Sequence, residues 1–156
     1  MPNPPAFDPM TLPEGNASVM PEPLRAKNQT RWYRRLGAAA GLTNFGVNLC
    51  RIVPGGQSSY RHAHSLQDEF VWVLEGRPTL VTDAGEQLLD PGMCAGFAKG
   101  TGDGHHFLNR TETDVVLLVV GDRAPGDAVS YPDDDLHGRP NPDGGYTFTH
   151  KDGSPW

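Results

Sequence analysis

Two histidines and a glutamate lie close together in segment 56–76 and are residue types that bind metal ions. His62 and His64 are two positions apart, so on a β-strand both imidazoles point to the same face. Glu69 follows a short polar link and opens the apolar run 70–74, which predicts the next strand. A hairpin of these two strands would bring all three groups to one end of one sheet face. There a single divalent cation could bind them and keep coordination positions open.

This spacing resembles the first signature of the cupin superfamily, Gly-x5-His-x-His-x4-Glu-x6-Gly. The match includes every fixed position: Gly56, His62, His64, Glu69 and Gly76. Because the required residues at five fixed positions rarely agree by chance, the resemblance is specific for this part of the chain.

The second cupin signature, Gly-x5-Pro-x-Gly-x2-His-x3-Asn, occurs in altered form over residues 92–109. Ala98 replaces the usual proline, and four residues rather than two separate Gly100 from His105. This signature supplies the fourth ligand in the family, so the departures bear on that ligand alone.

Two adjacent histidines compete for the role of fourth ligand. The family pattern places asparagine four residues after the ligand, and Asn109 therefore selects His105. Strand alternation agrees, since His105, Phe107 and Asn109 share a face and His106 takes the other. Gly102 and Gly104, just before the two histidines, could permit a β-bulge that turns the side chain of His106 toward the site instead. His106 therefore stays open as the alternative ligand.

The resemblance implies an all-β fold, the double-stranded β-helix or jelly-roll barrel of cupins, with irregular N- and C-terminal arms. It also implies one divalent metal ion (Zn, Mn, Fe or Ni) bound by four side chains: His62, His64, Glu69 and His105. Such a ligand set leaves two positions free in an octahedral site, which favours catalysis over a closed structural site. The whole chain is similar to a small group of bacterial single-domain cupins described as sugar-phosphate-isomerase-like.

Composition independently predicts many short strands and turns. The 156 residues include 19 Gly and 15 Pro, and the apolar runs are short. We divide the chain into a Pro-rich arm over residues 1–30, a barrel over 31–121, and a loop-rich extension over 122–156 that packs on the barrel.

Several partners and compartments are disfavoured. A net charge of −6 and the lack of a Lys/Arg cluster argue against nucleic acid. No run approaches the ~20 apolar residues of a membrane span. The first residues lack the features of a secretory signal, which predicts a cytoplasmic protein. Cys50 and Cys94 are then expected to be buried free thiols rather than a disulfide, with Cys94 near enough to the barrel mouth to line a cavity.

Three side chains near the ligands are candidates for acid–base catalysis: Tyr60, Asp103 and His106. Packing in the barrel wall is the alternative role for Tyr60. Arg51 and Arg61 could bind an anionic substrate through their guanidinium groups, or lie in solvent.

The function that these features favour is metal-assisted isomerase, epimerase or lyase chemistry on a small polar or anionic metabolite. An Fe(II) dioxygenase would use the same ligands, and a non-catalytic module that binds a sugar or acid is the alternative from another class. We also expect a homodimer. In it a partner covers either the N-terminal arm or the outward side chains of the strand that follows Glu69, namely Phe70, Trp72 and Leu74.

Overall fold

The computed structural model describes residues 5–143 and 145–156. Regular structure begins with a 3₁₀ turn (Pro9–Thr11) and includes two short helices, α1 (Arg25–Asn28) and α2 (Leu36–Ala39). Twelve strands carry the rest of the described fold: β1 (Arg31–Arg34), β2 (Phe45–Ile52), β3 (Ala63–His64), β4 (Glu69–Glu75), β5 (Thr79–Thr82), β6 (Gly85–Leu88), β7 (Cys94–Phe97), β8 (His106–Leu108), β9 (Val115–Asp122), β10 (Val129–Tyr131), β11 (Leu136–Pro140) and β12 (Tyr146–Thr149).

The strands form three antiparallel sheets. The largest has the order β1-β2-β9-β4-β7, a second has the order β12-β11-β10-β3, and a third has the order β6-β5-β8. This mostly antiparallel, strand-rich architecture confirms the all-β cupin barrel expected from the sequence. A turn at Asp83–Ala84 joins β5 to β6, and Gly85 adopts a φ of 114° there.

Alternation along the strands determines what faces the interior. On β4, Val71 and Val73 are each 1% exposed, whereas Trp72 between them is 46% exposed. The main core lies behind the five-stranded sheet and contains Cys50, Ile52, Val71, Val73, Leu80, Leu89, Phe107, Val115 and Leu117. A second core lies beneath the C-terminal strands and contains Met20, Tyr60, Val129, Tyr131 and Leu136.

The N-terminal segment is ordered against the barrel within its described part. Gly15 pairs with Tyr33 through two backbone hydrogen bonds of 3.1 and 2.8 Å. Met20, only 3% exposed, packs in the second core. The C-terminal end contacts the same segment, because the Trp156 indole donates to the Glu22 carbonyl at 3.1 Å. Residues 15–22 therefore contact the edge strand β1, the second core and the C-terminal tryptophan.

Two expectations from the sequence were wrong. Strand β3 does not form a hairpin with β4, because it pairs with β10 in the four-stranded sheet while β4 pairs with β7 and β9. The link between them is bound instead to the 122–127 region, for example through Leu66 N and Asp127 Oδ1 at 2.8 Å. Cys94 is exposed rather than buried, because its position on β7 faces outward beside Trp72. Cys50 is buried, and both thiols are free.

Candidate metal centre

Backbone pairing brings the two signature segments together. His62 and His105 are bridged by two backbone hydrogen bonds, from His62 N to His105 O at 3.2 Å and from His105 N to His62 O at 2.9 Å. His64 lies in β3, and Glu69 is the first residue of β4. His64 and Glu69 thus come from two different sheets, and His62 and His105 come from an isolated bridge outside the strands.

The Glu69 carboxylate is at the centre of this cluster. Its Oε2 lies 3.8 Å from Nε2 of His62 and 3.8 Å from Nε2 of His64. Its Oε1 lies 3.3 Å from Nε2 of His105. Potential ligand atoms of His62, Glu69 and His105 all lie within 4.8 Å of one another. This group could bind a metal ion, with His64 Nε2 beside it.

Hydrogen bonds at the far side of two imidazoles orient the ligand nitrogens. The Nδ1 atom of His62 lies 2.9 Å from the Tyr60 carbonyl, which can only accept, so the proton belongs on Nδ1. Nδ1 of His64 donates in the same way to the Asp127 carboxylate at 2.6 Å. Both Nε2 atoms then present lone pairs toward Glu69, which is the tautomer that a metal ion requires.

His105 is oriented by packing rather than by a hydrogen bond. The ring of Phe97 stacks on it with centroids 3.5 Å apart and an interplanar angle of 4°. Its Nδ1 is buried and has no hydrogen-bond partner among the described residues. The stacked position leaves Nε2 aimed at Glu69.

His106 lies on the other face of the same segment. Its Nδ1 donates to the Ser59 carbonyl at 3.0 Å, and its backbone pairs with Val81 in the third sheet. The side chain is not in the wall of the cavity that His105 lines. The assignment of His105 as the fourth ligand agrees with this geometry and stays a prediction until metal binding is measured.

Burial and charge act against each other on the cluster's pKa values. Burial raises the pKa of Glu69, but the hydrogen bond from His105 and the positive charges that His62 and His105 carry when protonated outweigh burial, so the pKa is well below its usual range. Burial lowers the pKa of His105, and Glu69 offsets this only in part. An anionic carboxylate beside imidazoles that can give up their Nε2 protons to a competing cation is a donor set that fits a divalent ion.

A cavity of about 220 Å³ opens beside the cluster. Its polar wall contains side chains from the N-terminal segment, the barrel strands and the C-terminal strands: Asn28, Arg31, Tyr33, Ser58, Ser59, Tyr60, Tyr131 and Tyr146. Its apolar wall includes Val71, Phe107 and Leu117 from the main core. The cavity has room for a small metabolite and not for a polymer.

The three acid–base candidates occupy different places. Tyr60 lines the cavity, but its hydroxyl donates to the Leu24 carbonyl at 3.1 Å. Asp103 shares a small depression with His64, Glu69 and His105, outside the main cavity, and its carboxylate accepts from Asp83 N at 2.7 Å. None of these contacts tests a catalytic role, which stays a prediction for Tyr60, Asp103 and His106.

Arg51 and Arg61 are engaged elsewhere. Arg51 binds the Glu14 carboxylate at 2.8 and 3.0 Å and stacks on Trp32, on the outer face of the large sheet. Arg61 binds the Asp133 carboxylate at 2.7 and 2.9 Å. Neither side chain lines the cavity.

Residues of the site that the sequence analysis missed include Asp127 and Arg31. Asp127 is 2% exposed and contacts His64 from a loop far along the chain. Arg31 precedes the two barrel signatures on β1. Alternation in Arg31–Arg34 could have placed Arg31 and Tyr33 on one face, but no local signal said that this face is the inner one.

Comparison with known proteins agrees with the fold and with both signatures. Residues 48–121 match the family model of the cupin domain. The structure is similar to a sugar phosphate isomerase of the cupin superfamily from Silicibacter pomeroyi, with 45% sequence identity, a TM-score of 0.93, and coverage of 97% of this chain and 96% of that one. This chain belongs to the cupin superfamily.

Two further solved structures extend the comparison. A proposed sugar phosphate isomerase from Acidithiobacillus ferrooxidans is 32% identical, with a TM-score of 0.71 over 77% of this cupin and 76% of that chain. The polyketide cyclase RemF from Streptomyces resistomycificus has a TM-score of 0.62 at 21% identity, over 78% of this chain and 82% of that one, and shares the fold alone. Among curated proteins, no significant sequence match is found. The described helices are all too short to span a membrane.

Proposed function

We propose that this cupin is a metal-dependent enzyme that carries out isomerase, epimerase or lyase chemistry on a small polar or anionic metabolite. The observation that carries the proposal is the convergence of three imidazoles on the Glu69 carboxylate at the wall of a small cavity. A purely structural site would be surrounded by protein on every side, whereas this one adjoins space for a substrate.

The four residues that would bind the metal are His62, His64, Glu69 and His105. When bound, a divalent ion such as Zn, Mn, Fe or Ni supplies a Lewis acid that polarises a carbonyl or carboxylate oxygen. The Asp127 carboxylate keeps His64 in the required tautomer, and the Tyr60 carbonyl does the same for His62.

Proton movement is the second part of the proposed chemistry. Asp103 is one candidate, because it borders the same small depression as Glu69 and His105. Burial raises the pKa of the Tyr60 hydroxyl, which keeps it protonated, and its proton is already donated to the Leu24 carbonyl, so Tyr60 could act as a general acid only after that bond breaks. His106 would act only from the far side of its strand.

The substrate class is supported by the similarity to the Silicibacter pomeroyi protein, which is a sugar phosphate isomerase. At 45% identity over nearly the whole chain, a phosphorylated sugar is the first substrate to test. Isomerisation of such a compound moves one proton between neighbouring carbons, and the proton can exchange with solvent on the way.

The experiment is proton exchange in D₂O, followed by NMR with a panel of aldose and ketose phosphates. Wild-type protein should incorporate deuterium at the carbon beside the carbonyl, and Glu69→Gln should not. Glu86→Gln is the matched control, since Glu86 is an exposed carboxylate that pairs with Arg110 on the outer surface. Turnover that requires O₂ and shows no exchange would replace the proposal with the dioxygenase alternative. Binding without any turnover would favour the binding module.

A further inference from the structure

Arg31 extends into the cavity from the edge strand of the large sheet. Its register partner is Ile52, and that of Tyr33 is Cys50, both of which are completely buried. Because residues directly opposite each other in an antiparallel pair share a face, Arg31 and Tyr33 point inward. Arg31 lines the cavity that contains His62 and Glu69. Among the described lining residues it is the only lysine or arginine.

The Arg31 guanidinium has no carboxylate partner among the described residues. Its Nε lies 3.3 Å from the Tyr33 hydroxyl, and its Nη1 donates to the backbone carbonyl of Asn28. Arg51 and Arg61, by contrast, are each neutralised by two carboxylates. A guanidinium carries five N–H groups, so most of those on Arg31 remain available for another acceptor.

Asn28 adds a second polar group at the same wall. Its side chain is 4% exposed and lines the cavity, and its Oδ1 is buried without a hydrogen-bond partner in the described chain. A buried carbonyl oxygen that lacks a donor has lost its hydrogen bonds to water without replacement, which is unfavourable. A ligand that brings a hydroxyl or another donor to this oxygen would remove that cost.

We propose that Arg31 and Asn28 form the subsite that recognises the non-reacting end of the substrate: Arg31 binds a phosphate or carboxylate group, and Asn28 Oδ1 accepts a hydrogen bond from a neighbouring hydroxyl. This proposal rests on the proposed function, because the reacting end is then the part beside Glu69. A planar guanidinium matches two oxygens of either anion at once. The favoured ligand is therefore a small hydroxylated anion.

The position of the subsite gives the N-terminal segment a role in specificity. Asn28 ends α1 and Arg31 begins β1, so both groups come from residues 28–31, where the N-terminal arm joins the barrel. The metal ligands come from the barrel signatures. Recognition and chemistry thus depend on separate parts of the sequence, and the anion subsite can be altered without changing a ligand.

Titration of the full-length protein with inorganic phosphate, followed by ³¹P NMR, tests the subsite. Arg31→Gln should weaken phosphate binding by at least ~10-fold, since charge-assisted hydrogen bonds are lost. Arg110→Gln is the matched control: it removes the same charge from an exposed pair with Glu86 and should bind phosphate as the wild type does. Equal weakening in both variants would show a net-charge effect and overturn the proposal. So would unchanged binding in Arg31→Gln.

Two further variants keep the proposal testable if Arg31→Gln fails to fold. Asn28→Asp keeps the side-chain shape but places a carboxylate beside Arg31, and it should weaken phosphate binding as strongly as Arg31→Gln does. Arg31→Lys keeps the positive charge but not the planar guanidinium that can bind two oxygens at once, and it should bind phosphate with intermediate affinity. Acetate titrated in parallel separates the two anions: competition with phosphate at Arg31 would extend the subsite to carboxylates, and its absence would restrict the subsite to phosphate. Wild-type affinity in Asn28→Asp would contradict the proposal.

Metal analysis of the same samples separates this proposal from the proposed function. If phosphate binds through the metal, Arg31→Gln should not weaken its binding. That result would contradict the proposed subsite but not the metal centre. Protein that contains no metal but loses phosphate only in the Arg31 and Asn28 variants would support the subsite and contradict the metal-dependent enzyme.

Discussion

Nδ1 of His64 lies 2.6 Å from Oδ2 of Asp127, a carboxylate 63 residues further along the chain. Asp127 also accepts hydrogen bonds from Leu66 N at 2.8 Å and from the Ser65 hydroxyl at 3.2 Å. Burial raises its pKa, but these donors outweigh burial, so the pKa of Asp127 is lowered and the group stays ionised. One carboxylate thus orients both the imidazole of His64, an expected ligand, and the link that leads to Glu69.

Asp127→Asn should weaken metal binding by ~10–100-fold, the usual effect of losing a carboxylate behind a ligand histidine. The amide can turn its NH₂ group toward Nδ1, which would favour the tautomer with the proton on Nε2 and block the ligand atom. Competition with a chelator measures the affinity. Asp90→Asn is the control, because Asp90 is an exposed carboxylate paired with Arg77, and it should not change the affinity. Equal affinities in the two variants would show that Asp127 only supports the loop.

Alanine at any of the four expected ligand positions should strongly lower the bound metal per chain, measured by elemental analysis. Losing one ligand removes a bond and the geometry of the site. His106→Ala is the neighbouring control and should keep full occupancy, because His106 faces Ser59 rather than Glu69. If His106→Ala loses the metal and His105→Ala keeps it, the fourth ligand has been assigned to the wrong histidine.

Sequence was sufficient for the parts of the site that depend on local spacing. His62, His64 and Glu69 are within eight positions of one another, so a fixed pattern records their geometry. The alternation of side chains along a strand favoured His105 over His106 as the fourth ligand. The structure agrees, because Nε2 of His105 faces Glu69. The fold class followed from the same signatures and from short strands punctuated by Gly and Pro.

The contacts between distant segments could not be derived in this way. β3 pairs with β10 and not with β4. β10 follows a loop near residue 127, and that loop carries no metal-site motif that would indicate the pairing. Arg31 is assigned to the cavity by the register of β1 on β2. A single sequence gives the residues that could pair but not which sheet each strand joins. The two roles left open for Arg51 could not be separated for the same reason: its register partner is Trp32, which places it on the outer face of the sheet.

Gly76 and Gly55 form a matched pair for testing the role of signature glycines. Their φ values are 76° and 75°, so alanine is strained equally at both. A Cβ at Gly76 would lie 2.6 Å from the Asp114 carbonyl oxygen, whereas one at Gly55 meets nothing within 4 Å. Gly55→Ala should lower the free energy of unfolding by about 1–2 kcal/mol. Gly76→Ala should lower it by a further ~1–3 kcal/mol through overpacking. Urea unfolding measures both, and equal losses would show that the backbone at Gly76 relaxes away from Asp114.

The two cysteines should differ sharply in reactivity. Cys50 is completely buried, and burial raises the pKa of its thiol to about 12, so at about pH 8 it is neither accessible nor ionised. Cys94 is exposed. Iodoacetamide should therefore label one thiol per native chain and two after denaturation, as counted by mass spectrometry. Cys94→Ser should abolish native labelling, and any residual label in that variant would show that the barrel opens to reagent.

The outer face of the large sheet predicts how two copies of this chain associate. Phe70, Trp72 and Leu74 are 41–46% exposed, and on the adjacent β9 the register partners of Phe70 and Trp72 are Val120 and Leu118, so the apolar surface is continuous. A patch of this kind favours burial, and a two-fold axis lets the same patch cover itself. We expect light scattering to give about twice the 16.9 kDa chain mass at micromolar concentration.

Trp72→Glu should shift the protein to monomer, because a charge in the middle of the buried patch is left unpaired. Leu66→Glu, at a similarly exposed leucine in the link before β4, should stay dimeric. A wild-type mass equal to one chain would rule out this association.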